Sequence, residues 1–350
     1  MRIIIFFLLF STHILASQLY SKGMAHFFYT YGSHCYSQKN YSEAIQNYSA
    51  ALKFAPNHCW TLHRLGNCYL VTKKYEKAKN FYLQATNTDN PPLFSYYNLG
   101  CIYALQNDKK NALIYLEKTI QKGYTKLEKL EVDSDWSSIR TENKYQQIIQ
   151  DAKKIKTQHS LIEEYQNSGY QNKMRILQES ISKNFPKKLD LAILTLNETY
   201  EGYRVASIAL LSSLSPKESS EYLIVALFDA NGYVKKAAAN AIVKSAINVQ
   251  QQLISILQKP NSPATPYVIQ ILGHINSTNS IDILIPYLKD EDPFICISTV
   301  DSLVRLKAIS AIPVLEQISQ QMKNAKTPQK EFYQIKIQHA ISYLQKLKHK

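Results

Sequence analysis

Residues 65–85 read LGNCYLVTKKYEKAKNFYLQA, and the same arrangement recurs on either side. Thirty-four positions earlier lies YGSHCYSQKNYSEAIQNYSAA (31–51), and thirty-four later LGCIYALQNDKKNALIYLEKT (99–119). Gly32, Gly66 and Gly100 fall in register, followed in step by Ala44, Ala78 and Ala112, then Tyr48, Tyr82 and Leu116, then Ala51, Ala85 and Thr119. A period of this length describes one supersecondary unit that buries its apolar face only by stacking on its neighbours. The spacing predicts two antiparallel helices per unit. Gly and Ala stand where the helices approach too closely for a larger side chain, and the aromatic and leucine residues fill the space between units. Pro56 closes the first unit and Pro91 falls one place late at the end of the second.

Across residues 24–122 this pattern of Gly, Tyr, Ala, aromatic, Ala and terminal Pro resembles the tetratricopeptide repeat (TPR) family. Residues 123–150, with Asp133, Asp135, Trp136, Ile139 and Arg140, are similar to a segment that closes bacterial TPR groups. Its expected role is to cover the last apolar face of the array, which would otherwise meet water.

The second half keeps a different beat. Leu211, Ile242, Leu272 and Leu303 recur at about 31 residues, and the expected partner helices follow at Leu223, Leu253, Leu284 and Val314, then Leu227, Leu257, Leu288 and Ile318. Polar or proline-bearing turns separate them, as in Asp290-Glu291-Asp292-Pro293. Over residues 185–320 the arrangement resembles short HEAT repeats of the kind named from phycobilin lyases. Residues 151–184 read as a helical linker or degenerate repeat. Residues 321–350, with Ile335, Ile337, Ile341, Leu344 and Leu347, read as a closing helix with a basic tail. The expected fold is all-α, two stacked α-solenoids. Nine glycines and 12 prolines in 350 residues suit helices joined by short turns better than a β-sandwich.

At the start, Arg2 precedes the apolar run Ile3–Phe10, and the small residues Ala16 and Ser17 follow. That order is a secretory signal peptide over residues 1–17. The run falls short of the ~20 residues needed to span a bilayer, so a membrane anchor is disfavoured. The expected destination is the periplasm or the medium. Cys35, Cys59, Cys68, Cys101 and Cys296 contain no C-x-x-C pair and read as apolar core residues. The formal charge is +14, with 41 Lys and Arg against 27 Asp and Glu, but it is spread along the chain. A diffuse balance favours anionic partners weakly, and no module for specific nucleic-acid binding is present.

No metal-ligand spacing, P-loop or nucleophile motif occurs. We expect no catalytic residue, metal or cofactor. The TPR resemblance implies instead a concave groove lined by the first helix of each pair. Its residues are Tyr29, Ser33 and Tyr36, then Trp60, His63, Arg64 and Asn67, then Phe94, Tyr97 and Asn98, with His26, Thr30 and Cys101 beside them. Aromatic and Arg residues in such places anchor extended peptides. His63, Asn67 and Asn98 match part of the carboxylate clamp of chaperone-binding TPR proteins, with His in place of Lys. The expected function is therefore a non-catalytic protein-interaction scaffold acting after export. The alternatives are a secreted effector or surface factor engaging a host protein, and a bilin-lyase-like enzyme.

Overall fold

The computed structural model describes the backbone of residues 2–154, 161–182, 187–245, 248–322 and 328–349, and side chains outside 2–16, 154 and 328–332. Among the described residues the elements are helices and short 3₁₀ turns, with no strand. The chain divides into two compact units, residues 28–210 and residues 1–27 with 211–350. Each is an α-solenoid.

In the unit 28–210, three helix pairs follow in order: α1 (Arg2–Ser37, whose C-terminal part lies here) with α2 (Tyr41–Phe54), α3 (Cys59–Val71) with α4 (Tyr75–Thr86), and α5 (Leu93–Leu105) with α6 (Lys109–Gln121). The first helix of each pair ends on a left-handed residue, Lys39, Lys73 and Asn107, each with φ between 56° and 59°. The next amide then bonds back to the helix, as Lys74 N does to Tyr69 O at 2.8 Å. This closing turn satisfies carbonyls that the helix end would leave open. Asn40 and Asp108 cap the second helices by accepting from the amides of Glu43 and Asn111.

The repeat positions form the core as the spacing predicts. Ala44, Ala78, Ala112, Tyr48, Tyr82, Leu116, Ala51, Ala85 and Thr119 are all fully buried. A Cβ on Gly66 would lie 2.5 Å from the Tyr82 ring, so only glycine lets the helices close. Leu65 packs with Tyr29, Ala44 and Tyr48 of the preceding pair. Tyr31, at the equivalent position of the first repeat, is 41% exposed.

The capping segment forms α7 (Leu127–Val132), a 3₁₀ turn at Ser134–Trp136 and α8 (Asn143–Lys154). Trp136, Ile139 and Tyr145 bury against Leu116, Ala112 and Cys101, which closes the array. Then come α9 (Leu161–Asn167), α10 (Tyr170–Ser182), α11 (Lys188–Leu196) and α12 (Glu201–Ser212). Residues 187–210, which the periodicity grouped with the second solenoid, cluster with this unit.

The other unit holds α13 (Pro216–Ala226), α14 (Gly232–Lys244), α15 (Gln250–Leu257), α16 (Thr265–His274), α17 (Ile281–Leu284), α18 (Pro293–Arg305), α19 (Ile312–Met322) and α20 (Pro328–Lys348). Helices α14, α16, α18 and α20 pack in succession, the ladder of a solenoid. Leu211, Ile242, Leu272 and Leu303 are fully buried. In the fourth partner helix the expectation shifts by one: Leu315 is fully buried, whereas Val314 is half-buried, because the step of 31 from Leu284 lands on Leu315. In α20, Ile337 and Leu344 are buried, seven residues apart on one face, and Ile335 points out at 51% exposure. The N-terminal helix belongs here too: Gly23 lies against the Phe228 ring and His26 pairs with buried Asp229 at 2.9 Å.

Of the expected signal peptide, residues 1–17, the side chains of 1–16 lie outside the described residues, as do parts of the linker (155–160, 183–186) and the approach to the closing helix (323–327). No helix among the described residues is long and apolar enough to cross a membrane.

Candidate functional site

Helices α1, α3 and α5 carry the expected groove residues, and the chain itself occupies much of that face. In the first repeat Tyr29 and Ser33 are buried. The Tyr29 hydroxyl donates to the carbonyl of Asn197 in the turn between α11 and α12. Ser33 Oγ and the Tyr48 hydroxyl lie 3.1 Å apart. These two residues were expected to face a partner; they face their own chain instead, Tyr29 toward the α11–α12 turn and Ser33 toward Tyr48 of α2. Tyr36 stays half-buried with its ring 5.4 Å from that of Tyr41. Thr30 and Cys101 are buried as well.

In the second repeat a hydrogen-bonded chain ties α3 to α5. The Asn67 amide donates to His63 Nε2 at 3.2 Å, so His63 Nδ1 carries the proton and donates to Ser95 Oγ at 2.9 Å. Asn67 Oδ1 accepts from the Tyr82 hydroxyl at 2.7 Å and from the Asn98 amide at 3.1 Å. Burial, helped by the Arg64 charge, pushes the His63 imidazole down to about 3. A neutral His63 supplies no cation, so the carboxylate-clamp likeness loses its positive charge at this position.

Arg64 is half-buried, and its Nε is buried with no hydrogen-bond partner. Burial works against its charge, but Tyr29, Tyr48 and Glu198 around it hold its pKa above the ordinary value. Glu198 is in turn held by Lys173 Nζ at 2.5 Å and by the Tyr165 hydroxyl at 3.1 Å. Arg64 thus stands inside a network built by its own chain.

In the third repeat the Tyr97 hydroxyl donates to the Asp133 carboxylate, and its ring packs 5.1 Å from Tyr124 and 5.7 Å from Trp136. Tyr97 fastens the cap to α5. Phe94 is 38% exposed. The thiol of Cys101 and the carboxylates of Asp133 and Asp135 lie within 4.8 Å of one another. Burial raises the pKa of both Cys101 and Asp135, and Asp133 adds to it. These groups form a polar cluster beneath the cap.

Trp60 is different. At the start of α3 it is half-buried and lines a cleft of about 470 Å³. Pro91, Pro92, Ile162, Ile193 and Leu194 supply its apolar lining. Asp89, Lys122, Glu163, Lys187 and Asp190 stand around it, with the amides of Asn90 and Gln166 between them. Trp60 is a groove residue that the structure places at a cleft. Part of the lining comes from α9 and α11, and nothing in the spacing of the first repeats pointed to them.

Comparison with known families agrees with the two arrays. The tetratricopeptide repeat profile matches residues 23–90 and a second tetratricopeptide repeat profile matches residues 95–121. The HEAT repeats profile matches residues 250–325. A search of curated proteins finds no match. The chain carries tetratricopeptide repeats in its N-terminal part and HEAT repeats in its C-terminal part.

Proposed function

We propose that the protein is a non-catalytic interaction scaffold that acts after export and binds a polypeptide through its TPR unit. The observation that carries this reading is Trp60, an aromatic anchor left half-open at a cleft while Tyr29, Ser33, His63 and Tyr97 are engaged internally. Solenoids offer extended surfaces of this sort, and Trp is a residue type that commonly dominates binding energy. The order of residues 1–17 supports export, and N-terminal sequencing of the mature protein should begin near Gln18.

The test is capture of a partner from the exported fraction by the full-length protein. Trp60 also packs on the cluster of Tyr29, Tyr48 and Leu65, so Trp60→Phe, which keeps an aromatic ring there, is the variant to use; it should stay folded by circular dichroism and weaken capture about tenfold. Arg64 does not serve in this test, because its burial against Tyr29 and Glu198 makes Arg64→Ala a stability variant first. Normal capture by Trp60→Phe, with loss following changes in the HEAT unit, would move the site to that unit.

A further inference from the structure

We infer that the Trp60 cleft recognises a lysine or arginine side chain of a polypeptide partner; this rests on the scaffold reading above. The cleft reverses the charge balance of the chain around it. Overall, basic residues outnumber acidic ones by 41 to 27, but three carboxylates and two ammonium groups line the cleft. Asp89 and Asp190 are both exposed there, one in the turn before α5 and one in the first turn of α11. Of the two lysines, Lys122 has its Nζ 5.8 Å from the centre of the Tyr96 ring and so already has an aromatic partner.

A long cationic side chain matches each part of this surface. Its methylene stem packs on apolar walls such as Pro91 and Ile193 while the charged head stays at the polar rim. The face of an indole attracts a cation, and carboxylates nearby strengthen that attraction. A cleft of about 470 Å³ has room for such a side chain with its flanking backbone, which Asn90 and Gln166 can hydrogen-bond. An acidic peptide or a phosphate backbone would meet Asp89, Asp190 and Glu163 and be repelled.

The two tryptophans make the test direct, since Trp136 is fully buried and Trp60 is not. The full-length protein is titrated with the blocked pentapeptides Gly-Lys-Gly-Lys-Gly, Gly-Glu-Gly-Glu-Gly and Gly-Ala-Gly-Ala-Gly, following indole emission and heat. The lysine peptide should give a saturable change that the other two do not. Trp60→Phe should abolish the emission change, and Asp89→Asn with Asp190→Asn should weaken binding about tenfold, with far-ultraviolet circular dichroism checking the fold. Equal response to the lysine and glutamate peptides, no saturable response, or indifference to the two Asp changes would overturn the inference. If the lysine peptide fails while partner capture still depends on Trp60, the cation preference alone falls; if capture ignores Trp60, the scaffold reading of this unit falls with it.

Discussion

The indole of Trp136 occupies the space that a side chain on Gly100 would need: a Cβ there would lie 2.2 Å from its Cη2 atom. In the first two repeats the same space is taken by Tyr48 against Gly32 and Tyr82 against Gly66, each from the second helix of its own pair. The third pair has Leu116 at that position, and the cap supplies the missing ring from downstream. Gly100→Ala should therefore unseat the cap and destabilise the protein by about 1–3 kcal/mol, the usual range for overpacking. Gly169→Ala is the control, since nothing lies within 4 Å of a Cβ there. Urea denaturation followed by circular dichroism would separate them, and equal midpoints would mean that the Trp136 ring is not packed on Gly100.

The buried state of Tyr29 depends on residues far along the chain. A fragment of residues 24–150 contains the apolar clusters of all three pairs and the cap, so it should fold. It lacks Asn197 and Glu198, which accept from Tyr29 and stabilise Arg64. It should melt about 5 °C below a fragment of residues 24–210, the effect of losing on the order of 1 kcal/mol from a domain of this size. Identical melting would show that the α11–α12 turn contributes nothing to the first repeat.

His63 predicts a pH dependence with a definite sign. Its folded pKa is depressed to about 3 by burial and by Arg64, below the unfolded value of 6.5. Between those values the unfolded chain binds a proton that the folded chain does not. Stability from this group is complete above pH 6.5 and declines as pH falls toward 3, by about 1.4 kcal/mol for each pH unit. Denaturation midpoints of wild type and His63→Gln, compared from pH 7 to 4, should converge as the pH drops. A constant gap between them would remove His63 from the acid sensitivity.

Thiol chemistry reads the core. Cys35, Cys68, Cys101 and Cys296 are buried and Cys59 is half-buried, none of them in a disulfide. Burial also raises the pKa of the Cys59 thiol, which slows its reaction. Ellman's reagent should modify one thiol per native chain slowly, and five once guanidinium unfolds it. Rapid modification of two or more native thiols would show that the helix pairs are more open than their packing indicates.

The helix pairs were legible because each contact that makes a repeat is local. Gly66 meets Tyr82 and Leu99 packs near Ala78, so spacing alone places them. The looser second period misplaced one residue: Val314 for Leu315, where apolar neighbours make adjacent positions look alike. Residues 187–210, grouped with that period, cluster by contacts with the first unit.

What the sequence determined by itself was the repeating unit, because a helix pair is specified by residues within one period of each other. Which part of the groove stays open was decided only in three dimensions. Tyr29 is covered by Asn197, 168 residues away, while Trp60 stands in a cleft that Ile193 and Leu194 also line. A residue's place on a helix follows from its neighbours in the chain; its exposure depends on whichever distant segment packs against it.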